Sequence, residues 1–187
     1  MSKPANRGKR FRDELMKSLR MLRVWRHCFD NTGHVQGPKR PGDLMVTWWG
    51  HSVLLEAKET HTPSIPFSRV EPHQVRHLER QAMPPSNGIA LVAIRWCVPR
   101  QPRCFLVPVD IWTGLAAGLD RKSLPLPDGK RPEGVLEVFR SRVRPEEEPG
   151  LNELVWDLRP VLDLMVMLCL AKTRTARPEI LSEEDAP

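Results

Sequence analysis

The sequence predicts an α/β protein with a mixed central sheet flanked by helices and a C-terminal helical extension. Three observations carry this. Apolar spacing switches between helical and alternating along the chain, reading helix, three strands, helix, two strands, helix from Arg10 to Leu119. A tight hairpin is written in PGDLMVTWWGHSVLLEAK, Pro41 to Lys58, where two runs rich in Val, Leu, Thr and Trp are separated only by Trp49-Gly50. After Asp120 the alternation gives way to proline and charge, before a final helical pattern from Leu151.

The elements follow in order. Residues 1–9 are expected to form a flexible basic arm, since the first 26 residues hold nine Lys or Arg against two acids. From Arg10, Phe11, Leu15, Leu19 and Leu22 make one helical stripe, and Glu14 lies beside it. Arg23 to Phe29 reads as the first strand, and Asp30 to Arg40, with Gly33, Gly37 and Pro38, as a loop that delivers Lys39 and Arg40 beside the hairpin. After Lys58 a loop with three prolines runs into a helix at Pro72, where proline suits the first turn; Val75, Leu78 and Ala82 form its buried stripe. Ile89 to Trp96 and Cys104 to Val109 read as strands, and Asp110 as the cap of a short helix through Leu119. The core thus spans 10–119, followed by a proline-rich extension (120–150) with one strand at Val135 to Phe139, a C-terminal helix (151–176) and a disordered acidic tail (177–187). Pro160 either starts a second helical segment or kinks one long helix.

Composition narrows the function classes. A chain of 187 residues with 40% hydrophobic content is sized for one domain with a core of its own. Its net charge of +6 and pI near 9.5 favour an anionic partner, nucleic acid or an acidic membrane surface. Cys28, Cys97, Cys104 and Cys169 show no metal-ligand spacing, so they read as free thiols in a reducing compartment and imply no zinc site. The N-terminus has no apolar signal core, and the one strongly apolar run, Val161 to Ala171, is too short for a bilayer and contains Asp163. A soluble, cytoplasmic protein is expected.

The hairpin carries the chemistry. With the turn centred on Trp49-Gly50, Asp43 falls opposite Glu56, and Glu56 and Lys58 share a strand face, while Leu44, Val46, Trp48, Val53, Leu55 and Ala57 form the opposite, apolar face. Carboxylates about 5 Å apart at Cβ repel, and a shared proton or a hard divalent cation relieves the repulsion. Oxygen ligands with open positions suit Mg²⁺ or Mn²⁺, and an adjacent lysine can hold the attacking water or stabilise a phosphorane-like transition state. Metal-assisted phosphodiester hydrolysis is the reading this favours; an ordinary surface ion pair of Lys58 is the structural alternative. Gln74, four residues before Leu78, borders the buried face of its helix and can reach this group, and Glu14 can turn toward it from the first helix. His73 and His77 have the spacing of a metal pair but no third ligand, and they equally suit a basic surface.

Asp43 followed by Glu56-Ala57-Lys58 resembles the core of the PD-(D/E)XK nucleases, whose helix, hairpin, helix, strand order matches the one above. EAKET (Glu56 to Thr60), IPFSRVEPHQVRHL (Ile65 to Leu78), GIALVAIRW (Gly88 to Trp96) and CFLVPV (Cys104 to Val109) resemble more specifically the RecU-type Holliday junction resolvases, over roughly residues 10–115. The resemblance implies a restriction-endonuclease-like core in which Asp43 and Glu56 bind Mg²⁺ (Mn²⁺ substituting) with the carbonyl of Ala57, Lys58 positions the water, and Gln74 and Glu14 support the site from their helices. It also implies branched DNA as partner, a homodimer making paired cuts in recombination or repair, and a bacterial or phage-type context. Arg7, Arg10, Lys39, Arg40, Arg69 and Arg76 would bind phosphates. Two departures stand out. The motif proline is displaced to Pro41-Gly42-Asp43, and only Asp30 to Gly42 separates the first strand from the aspartate, so the family's junction-entering stalk is missing. Compact viral replication-repair nucleases share the G-D-L…G…E-x-K pattern, which leaves flaps, ends or duplex DNA as alternative substrates and a non-catalytic DNA-binding module as a third reading.

Overall fold

A computed structural model of the chain describes residues 5–22, 24–29, 41–84, 86, 88–99, 101–118, 122–142 and 154–175. The loop bearing Lys39 and Arg40, the first four residues and the acidic tail lie outside them. The architecture is a mixed six-stranded sheet with helices on both faces. In chain order the elements are α1 (Ala5–Met21), β1 (Arg26–Cys28), β2 (Leu44–Trp48), β3 (His51–Thr60), β4 (Ser64–Pro66), α2 (Pro72–Ala82), β5 (Ile89–Trp96) and β6 (Arg103–Pro108). There follow α3 (Val109–Ala117), β7 (Ser123–Pro125), β8 (Leu136–Val138), β9 (Arg140–Arg142), β10 (Leu154–Trp156) and α4 (Arg159–Thr175). The sheet runs β1-β2-β3-β5-β6-β8, with β3 and β5 parallel and the other neighbours antiparallel.

The hairpin turns where the letters place it. Leu44 faces Leu55, Val46 faces Val53 and Trp48 faces His51, the register expected from a Trp49-Gly50 centre. Both turn residues have positive φ, 47° at Trp49 and 79° at Gly50, as a two-residue turn matched to strand twist requires. Glycine takes this conformation at no steric cost, whereas tryptophan does not. The Trp49 indole is anchored in compensation: Asp163 Oδ1 on α4 accepts from Nε1 of Trp48 at 2.9 Å and of Trp49 at 3.0 Å.

Strand alternation then makes two cores. Leu44, Val46, Trp48, Val53, Leu55 and Ala57 pack against Phe11, Leu15 and Leu19 of α1 and Val161, Leu162 and Val166 of α4. On the other face Leu54, Ala90, Val92 and Ile94 pack against Leu78 of α2 and Val109 and Trp112 of α3. Burying each such Leu or Phe contributes roughly 1.5–3 kcal/mol, so the central strands are held by apolar surface on both sides. This explains the near-continuous apolar run of β5.

Several boundaries differ from expectation. Helix α1 starts at Ala5, so residues 5–9 belong to it and not to an arm. Pro108, not Asp110, is the N-cap of α3, because proline's fixed φ and missing N–H suit the turn out of β6. Within the expected helix from Leu151, Leu154–Trp156 is a strand paired with β9, and α4 begins at Arg159 with Pro160 in its first turn. The region after Gly118 is built into the fold: β7 pairs with β4, and β8 extends the sheet beside β6. Arg103 ties that last strand down, donating to Glu137 from Nε at 2.6 Å, while its other nitrogens reach Asp128.

Candidate active site

Glu56 lies in the middle of β3, between β2 and β5, and is 1% exposed. A carboxylate so placed must find donors or lose its charge. Its Oε1 accepts from Lys58 Nζ at 2.6 Å and from Gln74 Nε2 at 2.6 Å. Its Oε2 is buried and has no hydrogen-bond partner among the described residues. Burial, followed by the charge of Asp43, pushes the Glu56 carboxyl up to about 7 against the opposing pull of Lys58 and Gln74.

Gln74 reaches this place because α2 begins at Pro72. As the third residue of the helix its Oε1 accepts from the amide of Glu71 at 3.0 Å, closing the first turn, and also from Lys58 Nζ at 3.0 Å. The same side chain therefore caps the helix, orients Lys58 and holds one oxygen of Glu56. Neither Lys58 nor Gln74 can swing freely.

Asp43 arrives differently from the simple hairpin register. The ladder of β2 and β3 ends at Leu44 and Leu55; the Asp43 amide donates to Leu55 O at 3.0 Å, one step short of facing Glu56. Gly42 makes this approach possible, since a Cβ there would stand 3.0 Å from Leu54 Cδ1 and 3.2 Å from Leu55 O. Where β2 has run out, the Asp43 carboxylate takes the place of a strand neighbour, Oδ2 accepting from the Ala57 amide at 2.9 Å. In a strand the N–H and C=O of one residue point to the same side, so the Ala57 carbonyl faces the same gap. Asp43, the Ala57 carbonyl and the unpartnered Glu56 Oε2 make an all-oxygen donor set of the kind that suits a hard divalent cation.

The structure does not bring Glu14 to this group. Helix α1 covers the Leu55 and Ala57 face, whereas Glu56, Lys58 and Gln74 meet on the α2 face. Glu14 is engaged there by Arg95 Nη1 at 3.0 Å, Arg140 Nη2 at 3.5 Å and Arg10 Nε at 3.6 Å. Arg95, a buried cation on an otherwise apolar strand, is the residue that sequence reasoning missed; the signal was its charge within IALVAIRW. Of the cations expected to meet phosphate, Arg69 and Arg76 are exposed on the α2 side and Arg10 is exposed on α1. Lys39, Arg40 and the Arg7 side chain lie outside the described residues. His73 Nδ1 sits 3.2 Å from Glu71 Oε2.

No family model and no curated protein matches the chain. Among solved structures it is similar to Hjc, a Holliday junction resolvase from the archaeal hyperthermophile Archaeoglobus fulgidus, with a TM-score of 0.47 and 18% identity over 70% of this chain and 95% of that one.

Proposed function

We propose that the protein is a divalent-metal-dependent DNA endonuclease, selective for branched structure, that resolves four-way junctions by paired phosphodiester hydrolysis. The observation that carries this is Glu56: a buried carboxylate with one oxygen held by Lys58 and Gln74 and the other without a partner, next to a second carboxylate at Asp43. A purely structural ion pair gives no reason to leave Oε2 unsatisfied, at a cost of about 1–3 kcal/mol.

In this reading Asp43, Glu56 and the Ala57 carbonyl hold Mg²⁺, with Mn²⁺ able to replace it. A divalent ion held there would supply Lewis acidity, making water easier to deprotonate and offsetting charge on the phosphate. Lys58, fixed through Glu56 and Gln74, presents its ammonium to the attacking water and to the charge that grows on the phosphoryl oxygens. Water adds to phosphorus, a P–O ester bond breaks, and the leaving oxygen takes up a proton. Arg69 and Arg76, on the same side as α2, would hold flanking phosphates, joined by Lys39 and Arg40 from the preceding loop and by Arg7 and Arg10 from the first helix. Glu14, paired with Arg95, is left out of the hydrolytic group.

Two symmetric cuts require two such centres, so we expect a homodimer. Leu164, Met167, Leu168 and Leu170 of α4 are exposed and supply an apolar surface for it. No helix among the described residues is long and apolar enough to cross a membrane.

Labelled four-way, flap and linear DNA incubated with Mg²⁺ test the proposal. Symmetric paired cuts in the junction, with linear duplex left largely intact and activity down at least ~100-fold in Asp43→Asn, are expected. Equal cutting of flaps or duplex would move the substrate to those forms. An Asp43→Asn protein as fast as wild type would overturn the hydrolytic role.

A further inference from the structure

A second group of metal-ligating side chains lies on the face opposite Lys58. Parallel pairing of β3 and β5 sets Glu59 beside Arg95 and Thr60 beside Trp96, and the Cys97 amide carries the ladder on by donating to Thr60 O at 2.8 Å. The next residues out are His61 and Cys97. Glu59 and His61 are two apart on one chain and Cys97 lies across from them, so by strand alternation all three side chains leave the sheet on one side. Their donor atoms all lie within 4.8 Å of one another, and His61 Nε2 is 3.2 Å from Glu59 Oε1.

We propose that Glu59, His61 and Cys97 form a second metal site that takes a borderline-soft divalent ion of the zinc class, with a fourth position open to water. Thiolate, imidazole and carboxylate suit Zn²⁺ or Co²⁺ and not Mg²⁺, which takes oxygen and keeps its waters. With bonds of about 2.0–2.3 Å, tetrahedral ligands stand roughly 3.3–3.7 Å apart. The His61 to Glu59 separation is already close to that, and Cys97 needs only a side-chain adjustment. The other Glu59 oxygen, Oε2, is 3.5 Å from Arg95 Nη1, a buried cation that orients the carboxylate in the way outer partners orient metal ligands. Charges balance as well, since one divalent ion neutralises the thiolate and the carboxylate. Burial, and next the Glu59 charge, push the Cys97 thiol up to about 11, so metal entry displaces a proton that the metal-free cluster retains.

The ion would clamp the ends of the parallel strands at the corner where the chain leaves for β4, and that corner leads through Arg69 to α2 and Gln74. The site stands on its own donors and does not depend on the nuclease reading.

The test is Co²⁺ titration of the metal-free, full-length protein. We expect one equivalent to give a thiolate-to-cobalt charge-transfer band in the near ultraviolet and tetrahedral visible bands, displaced by Zn²⁺ but not by a large excess of Mg²⁺. The spectrum persists in Glu56→Gln, Cys28→Ser and Cys169→Ser, disappears in Cys97→Ser, and requires at least about tenfold more Co²⁺ in His61→Ala. His61 is exposed, so its replacement leaves the fold intact, which a melting curve checks. Absence of the charge-transfer band, its survival in Cys97→Ser, or unchanged affinity in His61→Ala overturns the proposal.

Discussion

In the proposed function Glu56 is kept buried beside Asp43 at a cost in stability. Its carboxyl titrates near 7 in the folded protein, against 4.5 for the ordinary group, so the folded state binds the proton more tightly than the unfolded chain. This contribution to stability is fully present below the unfolded value and is lost as pH rises through the folded one. The metal-free protein should therefore melt at progressively lower temperature between pH 5 and 7 as far as Glu56 governs it, with a total on the order of 3 kcal/mol. Glu56→Gln, which removes the buried charge but keeps the shape, should melt higher than wild type at pH 8, and this advantage should shrink toward pH 5. Scanning calorimetry at the two pH values checks this, and a Glu56→Gln protein less stable at pH 8 than at pH 5, relative to wild type, contradicts it. Gln74→Ala removes the acceptor for the Glu71 amide and the fixed partner of Lys58. It should cost about 1 kcal/mol of stability and roughly 10–100-fold in cleavage rate, read by urea melts and single-turnover kinetics. Glu56 and Lys58 were legible in the letters because a strand's period of two forces them onto one face. Glu14 was not, since a helix stripe says which side is apolar but not which face of the sheet the helix covers.

At the scale of elements, the hairpin was readable and its ends were not. Apolar alternation and Gly50 specify the register, whereas Asp43 leaves the ladder through the close approach at Gly42, a backbone detail that no spacing rule contains. Gly50→Ala should cost about 1 kcal/mol through conformation alone, because nothing among the described residues lies within 4 Å of its added Cβ. Chemical denaturation measures it. Asp163→Ala strips two indole donors of their acceptor, one on the buried Trp48. The expected loss is about 1–3 kcal/mol, with faster amide exchange in α4 than in β5. Of the short strands after Gly118, β8 falls inside the strand expected at Val135 to Phe139, whereas β7, β9 and β10 were missed or misassigned for a common reason. Three residues are too few to show a period, and only their partners define them. The Glu59, His61 and Cys97 cluster is the sharper case: a parallel register alone joins 59–61 to 97, so counting along the chain found no zinc spacing.

For the whole molecule, an excess of six positive charges and exposed arginines on both helical layers would, in the proposed function, make DNA affinity depend on ion release. Binding to a four-way junction should weaken steeply between low and physiological salt, and Arg69→Ala with Arg76→Ala should flatten the slope by roughly two phosphate contacts. Filter binding across a salt series reads this directly. Helices on both faces of the sheet explain how one small domain can carry the Glu56, Lys58 and Gln74 group on one face and the Glu59, His61 and Cys97 cluster on the other. In the proposed function a hard cation binds at the vacant oxygen of Glu56 and the aspartate beside it. Isothermal titration of metal-free protein with Mn²⁺, with Cys97→Ser as background so that the second cluster is removed, tests it most directly. One hard-cation site should appear, weaken about tenfold per pH unit below pH 7 as Glu56 takes up its proton, and vanish in Glu56→Gln and Asp43→Asn. Equal Mn²⁺ binding by Glu56→Gln and its parent would contradict the account.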